Sequence, residues 1–208
     1  VSDMYNHRIQ RWRPGATVGI TAAGGNGFGD SQTQLEEPGK IDIDSQGNLY
    51  IADTGNNRVQ KWEYGGLTGK TVAGGNGMGK ELNQLHNPFG IAVDESGAIY
   101  ISELSNHRVT KWNPGASKGE IVAGGNGEGA GANQLAIPMG VAVNKKGDLY
   151  IADTYNHRVQ LWEKGSTEGK TLISGKDFKS GFETSYFSCI SLVNESHLYI
   201  CLLYTSDA

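Results

Sequence analysis

Apolar and polar residues alternate in short runs along most of this 208-residue chain. Between Pro38 and Asn87, Ile41 and Ile43 fall on one side while Asp42 and Asp44 fall on the other, the period of two that marks a half-buried strand. Ser45-Gln46-Gly47-Asn48 follows and reads as a tight turn in which Gly47 supplies a positive φ. Leu49 to Asp53 is a second predicted strand, and Thr54-Gly55-Asn56-Asn57 a second turn. Arg58 to Trp62 is a third strand, Glu63 to Gly69 a turn segment, and Lys70 to Ala73 a fourth, more polar strand. Gly74 to Asn87 is a long Gly-rich loop. No period of 3.6 survives over ten residues anywhere, so the pattern predicts an all-β fold.

This unit recurs with a step of 50 residues. Trp12, Trp62, Trp112 and Trp162 keep that step, as do Arg8, Arg58, Arg108 and Arg158, and Pro38, Pro88 and Pro138. Ala23-Gly24-Gly25-Asn26-Gly27 returns at Ala73 to Gly77 and at Ala123 to Gly127. A strict period of this length suits the four-stranded blade of a β-propeller. The predicted units are 1–37 (partial), 38–87, 88–137, 138–187 and 188–200 (partial), about four blade equivalents in a domain spanning 1–200. With strands a to d antiparallel, the b–c turn and the d-to-a loop share one end of every blade. These are the longer connections, where binding residues concentrate. After Leu198-Tyr199-Ile200 the expected Ala-Asp-Thr is replaced by Cys201 to Ala208, an off-register tail that reads either as an atypical last unit or as foreign sequence.

Leu49-Tyr50-Ile51-Ala52-Asp53-Thr54-Gly55-Asn56-Asn57-Arg58-Val59-Gln60 resembles the NHL repeat, and so does Leu149 to Gln160. The Asn-His pair of its name stands at Asn6-His7, Asn106-His107 and Asn156-His157, with Asn57 in place of His in the second unit. The resemblance implies a propeller, often of six blades, of which this chain would be a part. It also implies a choice of roles. Similar propellers serve as recognition modules of ubiquitin ligases, receptor-like kinases and extracellular proteins. Some bind single-stranded RNA, and some resemble amidating lyases or lactonases with a central metal.

Charge narrows that choice. Lys plus Arg is 18 against 22 for Asp plus Glu, a formal −4, which lacks the basic excess expected of a nucleic-acid binder. Gly is 31 of 208, about twice the usual share of roughly 7%. Two cysteines, Cys189 and Cys201, leave the first 188 residues without a disulfide framework. No apolar run approaches the ~18 residues of a membrane span. No secretion signal is visible, and the compartment is left open.

Each unit sets an acid five residues before its Arg: Asp3 and Arg8, Asp53 and Arg58, Glu103 and Arg108, Asp153 and Arg158. Both flank the b–c turn, and four copies of one device argue for architecture rather than for a site. His7, His107 and His157 share one turn position. Zinc needs three or four ligands converging at about 2.0–2.1 Å, and turn positions far from the axis diverge, so no metal is expected. Asp42-x-Asp44-x-Gln46-Gly47 imitates a calcium loop but lacks its fifth and twelfth ligands. Gly69-Lys70-Thr71 and Gly169-Lys170-Thr171 lack the leading Gly of a phosphate loop, which would fall at Tyr64 and Lys164, and no helix follows. No cofactor or nucleotide is expected, and no catalytic set stands out. Asn194-Glu195-Ser196 is a lone glycosylation sequon.

The remaining signal lies where units differ. After Gly-Gly-Asn-Gly come Phe28, then Met78 with Lys80, then Glu128. After Gln-Leu come Glu36-Glu37, His86-Asn87 and Ala136-Ile137. Scaffold positions repeat and these do not, so an asymmetric partner would be read by Phe28, Met78, Lys80, His86 and Glu128, joined on the b–c turns by Asn106, His107, Asn156 and His157. A non-catalytic platform for protein or peptide is the function the sequence favours, with RNA binding and a metal-dependent lyase or lactonase as the alternatives.

Overall fold

A computed structural model describes residues 1–175, 186–193 and 197–203. The sequon at Asn194 and the tail from Tyr204 lie outside these residues, as does the stretch that would hold a fourth Gly-rich loop. The described chain is all-β, with single-turn 3₁₀ segments at Met4–Asn6 and Thr154–Asn156. Three sheets are complete and four-stranded: β4 to β7 (Pro38–Ile43, Leu49–Asp53, Arg58–Trp62, Gly69–Gly74), β8 to β11 (Pro88–Val93, Ile99–Glu103, Arg108–Trp112, Glu120–Gly124) and β12 to β15 (Pro138–Val143, Leu149–Asp153, Arg158–Trp162, Lys170–Ser174). Before them stand β1 to β3 (Ser2–Asp3, Arg8–Arg11, Ile20–Gly24), and after them the pair β16–β17 (Tyr186–Val193, His197–Leu203).

The first strands of successive sheets adjoin one another, β4 with β8, β8 with β12 and β12 with β16, so the sheets are arrayed as propeller blades with strand a innermost. Each strand a begins at Pro38, Pro88 or Pro138, where the missing N–H removes no ladder bond. Each c–d pairing carries one register shift, between Ile9 and Gln10, Val59 and Gln60, Val109 and Thr110, and Val159 and Gln160. A bulge there increases the local twist of the outer strand. The last hairpin pairs Ile190 with Ile200 where the blade before it pairs Val141 with Ile151, so the repeat has slipped by one residue. β17 runs on through Cys201 to Leu203, three residues beyond the last in-register position of the sequence.

Alternation puts one face of each blade against the next. Tyr50, Val59, Ala73 and Leu85 pack on Ile91, Ile99, Ile101 and Trp112, and the same contact is made with equivalent residues between the following pair. The tryptophans record it. Trp62, Trp112 and Trp162 are 2–3% exposed under the preceding blade, whereas Trp12, in the first blade, is 51% exposed.

Candidate functional site

The b–c turns and d–a loops lie together at one end of the blades, joined by repeated hydrogen bonds. Arg58 shows the device. Its Nε donates to Asp53 Oδ2 at 2.7 Å, and its guanidinium reaches the carbonyls of Asp30, Ser31 and Gln34 at 2.6, 3.2 and 3.3 Å. Arg108 does the same with Glu103 and the carbonyls of Lys80, Glu81 and Gln84, and Arg158 with Asp153 and those of Ala130, Gly131 and Gln134. Arg8 pairs with Asp3 at 2.8 Å but is more open, its side chain 36% exposed against 9%, 4% and 12% for the other three. Each planar donor fork fixes both the turn and the preceding Gly-rich loop. Burial raises the pKa of Asp53 and Asp153, opposed by N–H groups of Glu36 and Ala136 and by the Asn and Arg of each turn. At Asp3 the Arg8 hydrogen bond instead holds the carboxyl below its usual range.

The Asn-His positions are also built inward. Asn106 donates to Gly79 O and Glu103 Oε2, and Asn156 to Gly129 O and Asp153 Oδ2. His7, Asn57, His107 and His157 all adopt the left-handed conformation, with φ of 51, 51, 49 and 50°. His7 Nδ1 accepts from Glu37 N, Asn57 Oδ1 from Asn87 N, and His107 Nδ1 from Ile137 N. His and Asn alternate here because either offers one acceptor at the same height. His157 packs against Tyr186 with ring centroids 4.9 Å apart and the rings tilted by 46°. Among the described residues no three His, Cys, Asp or Glu side chains gather as a metal site would require. Asp42 and Asp44 do not face a common point either. Asp42 accepts from Ile43 N and Val93 N, Asp44 from Gln46 N and Asn48 N.

The residues that vary between units stand outward on this same end. Phe28 is 68% and Met78 62% exposed, and Phe28 lies 5.9 Å from the His7 ring. Lys80 and Glu128 are exposed, with Glu128 Oε2 3.9 Å from His107 Nε2. His86 is half-buried, its backbone N–H given to Glu103. The loops 25–37, 75–87 and 125–137 carry five acids, Asp30, Glu36, Glu37, Glu81 and Glu128, against one lysine, Lys80. Their net −4 equals the formal charge of the whole chain.

Between the third and fourth blades the loops part into a groove lined by Asn87, Leu104, Ser105, His107, Glu128, Ile137, Met139 and Tyr155. Of these, the sequence singles out Asn87, His107, Glu128 and Ile137. It does not point to Leu104, Met139 and Tyr155, although each differs from its counterparts 50 residues away. That difference is the available signal.

The comparisons agree with this architecture. The family model of the NHL repeat matches residues 35–62 and 135–161, so these two stretches are NHL repeats. No curated protein sequence matches it. Among solved structures it is similar to one from a nidogen/laminin complex, with a TM-score of 0.68 and 18% identity over 95% of this chain and 64% of that one. It is also similar to an auxiliary nutrient binding protein from Bacteroides thetaiotaomicron, with a TM-score of 0.58 and 14% identity over 81% of this chain and 46% of that one. A streptogramin B lyase gives a TM-score of 0.52 and 14% identity over 80% and 50%. The chain therefore spans less than two thirds of each, and at these identities the likeness is one of fold. The fold is that of a β-propeller, present here in part.

Proposed function

We propose that this propeller is a non-catalytic protein-interaction platform whose working face is the one carrying the b–c turns and the Gly-rich d–a loops. One observation carries the reading. The positions at which the units depart from one another, Phe28, Met78, Lys80 and Glu128 among them, are exposed together on loops that the buried Arg–carboxylate staples hold rigid. Exposed aromatic and Met side chains on a fixed scaffold suit a protein contact. The matched structure named as a nidogen/laminin complex supports the same reading by analogy of fold. The face carries the wrong sign for the phosphate neutralisation that RNA binding needs. The lyase likeness is one of fold, and no cluster of chemical groups among the described residues adds to it.

A photo-crosslinking amino acid placed at 28, 78 and, as a control in an a–b turn at the opposite end of the blades, 95 tests the proposal. The expected result is the same crosslinked protein from positions 28 and 78 and none from 95. Equal crosslinking from all three, or crosslinking from 95 alone, would overturn it.

A further inference from the structure

Resting on that reading of the face, we infer that the groove between the third and fourth blades is its specificity-determining pocket, and that it takes a peptide segment presenting an apolar side chain flanked by lysine or arginine. The groove stands out once the repeat is subtracted. At the junction between the second and third blades the equivalent positions are Thr54, Gly55, Met78, Asn87 and Phe89 with Ser105. Between the third and fourth they become Leu104, Ser105, Glu128, Ile137 and Met139 with Tyr155.

Two of these changes work against the scaffold. Thr54 and Thr154 each send a hydroxyl across to the next blade, to Pro88 O and Phe187 O, both at 2.7 Å. Leu104 occupies that position with no hydroxyl, so this junction forgoes the bond. Ile137 is held at φ 46°, a left-handed conformation that disfavours a β-branched side chain, where the neighbouring units place Glu37 and Asn87. Tyr155 is 54% exposed, with its ring 5.7 Å from that of Tyr186; Gly55 and Ser105 stand at this position in the second and third units and Tyr5 in the first. Leu104 and Ile137 break local rules of the repeat, the pattern expected of a functional or strained site. Together with Tyr155 they join Met139 around one opening.

The rim fixes the charge of the occupant. Glu128 stands over the apolar lining with its side chain 58% exposed, and the three loops of this face hold net −4. A cationic group flanking the inserted side chain meets that carboxylate, whereas an acidic one is repelled. Lysine and arginine also bring long aliphatic stems suited to covering Tyr155 and Met139.

The test uses two sets of fluorescein-labelled, end-blocked nine-residue peptides. Each has Leu, Phe or Met at its centre, flanked by Lys in one set and by Glu in the other, and binding is read by anisotropy. The Lys set should bind at least tenfold more tightly than the Glu set. Glu128→Lys should reverse that order, and Tyr155→Ala should weaken the Lys set at least fivefold. Both side chains are exposed, and near-ultraviolet circular dichroism verifies that the variants keep the fold. Equal binding of the two sets, no binding of the Lys set, or unchanged affinities in both variants would overturn the assignment. If the groove variants are silent while position-specific crosslinks at 28 and 78 persist, the groove assignment falls and the platform stands.

Discussion

Thr110 donates its hydroxyl to Glu103 Oε1 at 3.1 Å, both side chains being buried. In the other units this pair of positions holds Gln10 with Asp3, Gln60 with Asp53 and Gln160 with Asp153. A carboxylate longer by one methylene is thus matched by a shorter partner, and Arg108 still reaches Glu103 Oε1 at 2.8 Å. The Gln positions do not complete the staple in this way, since Gln60 Oε1 and both amide atoms of Gln160 are buried without a hydrogen-bond partner. Glu103→Asp should destabilise the chain by about 1–3 kcal/mol, because Thr110 and Arg108 lose a buried acceptor. Thr110→Gln should destabilise it as well, because it removes the bond to Glu103 and buries an amide in its place. Urea unfolding checks both, and either variant as stable as the parent would contradict the reading.

The four arginines should not respond alike. Arg58→Ala leaves Asp53 buried without its cation and should cost about 3–5 kcal/mol. Arg58→Lys should recover little, since one ammonium cannot serve a carboxylate and three carbonyls in a plane. Arg8→Ala should cost far less, because the Asp3 pair is exposed and screened by solvent. Chemical denaturation of the three variants checks the order.

Much of this was legible in the sequence. The 50-residue step located every strand of the three complete blades, and the five-residue spacing placed each acid opposite its arginine. The other half of the staple was invisible, because the guanidinium ends on backbone carbonyls and a carbonyl leaves no mark of residue type. The groove was hidden for another reason. Leu104 and Tyr155 are 51 residues apart, and only packing shows that a b–c turn of one blade faces that of the next across the intervening loop. In the last unit Ile200 pairs with Ile190 as Ile151 does with Val141, and β17 continues to Leu203 through residues that do not follow the Ala-Asp-Thr of the repeat, so the sequence pattern gave no sign of the extension.

His107 tests the acceptor rule of the left-handed turn position. His107→Asn keeps an acceptor for Ile137 N and a residue tolerant of φ 49°, so stability should change by no more than about 0.5 kcal/mol. His107→Val removes the acceptor and forces a β-branched side chain into the strained region, with an expected loss of about 1–3 kcal/mol. Thermal unfolding of both separates them, and equal losses would contradict the rule.

Acid should unfold the chain partly through the a–b turns. The Asn144 amide and the Lys164 N–H hold the Asp148 carboxyl below its usual range. A carboxylate whose pKa is lowered by folding adds stability above its unfolded value near ~3.9, and that stability disappears as pH falls through the folded value. Asp148→Asn should therefore be less stable than the parent at neutral pH and should converge with it below about pH 4. A gap that stays constant down to low pH would show that the carboxylate charge is not responsible.

The central claim is that recognition belongs to the loop-bearing face. Selection of a random twelve-residue peptide library against the chain, followed by hydrogen exchange with the best binder, tests it directly and does not require the natural partner. The account predicts peptides rich in Lys or Arg beside an apolar residue. It also predicts slowed exchange confined to the loops 25–37, 75–87 and 125–137 and the turns between strands b and c. Protection centred instead on the opposite turns, around Asp94 to Gly97 and Asn144 to Gly147, would contradict it.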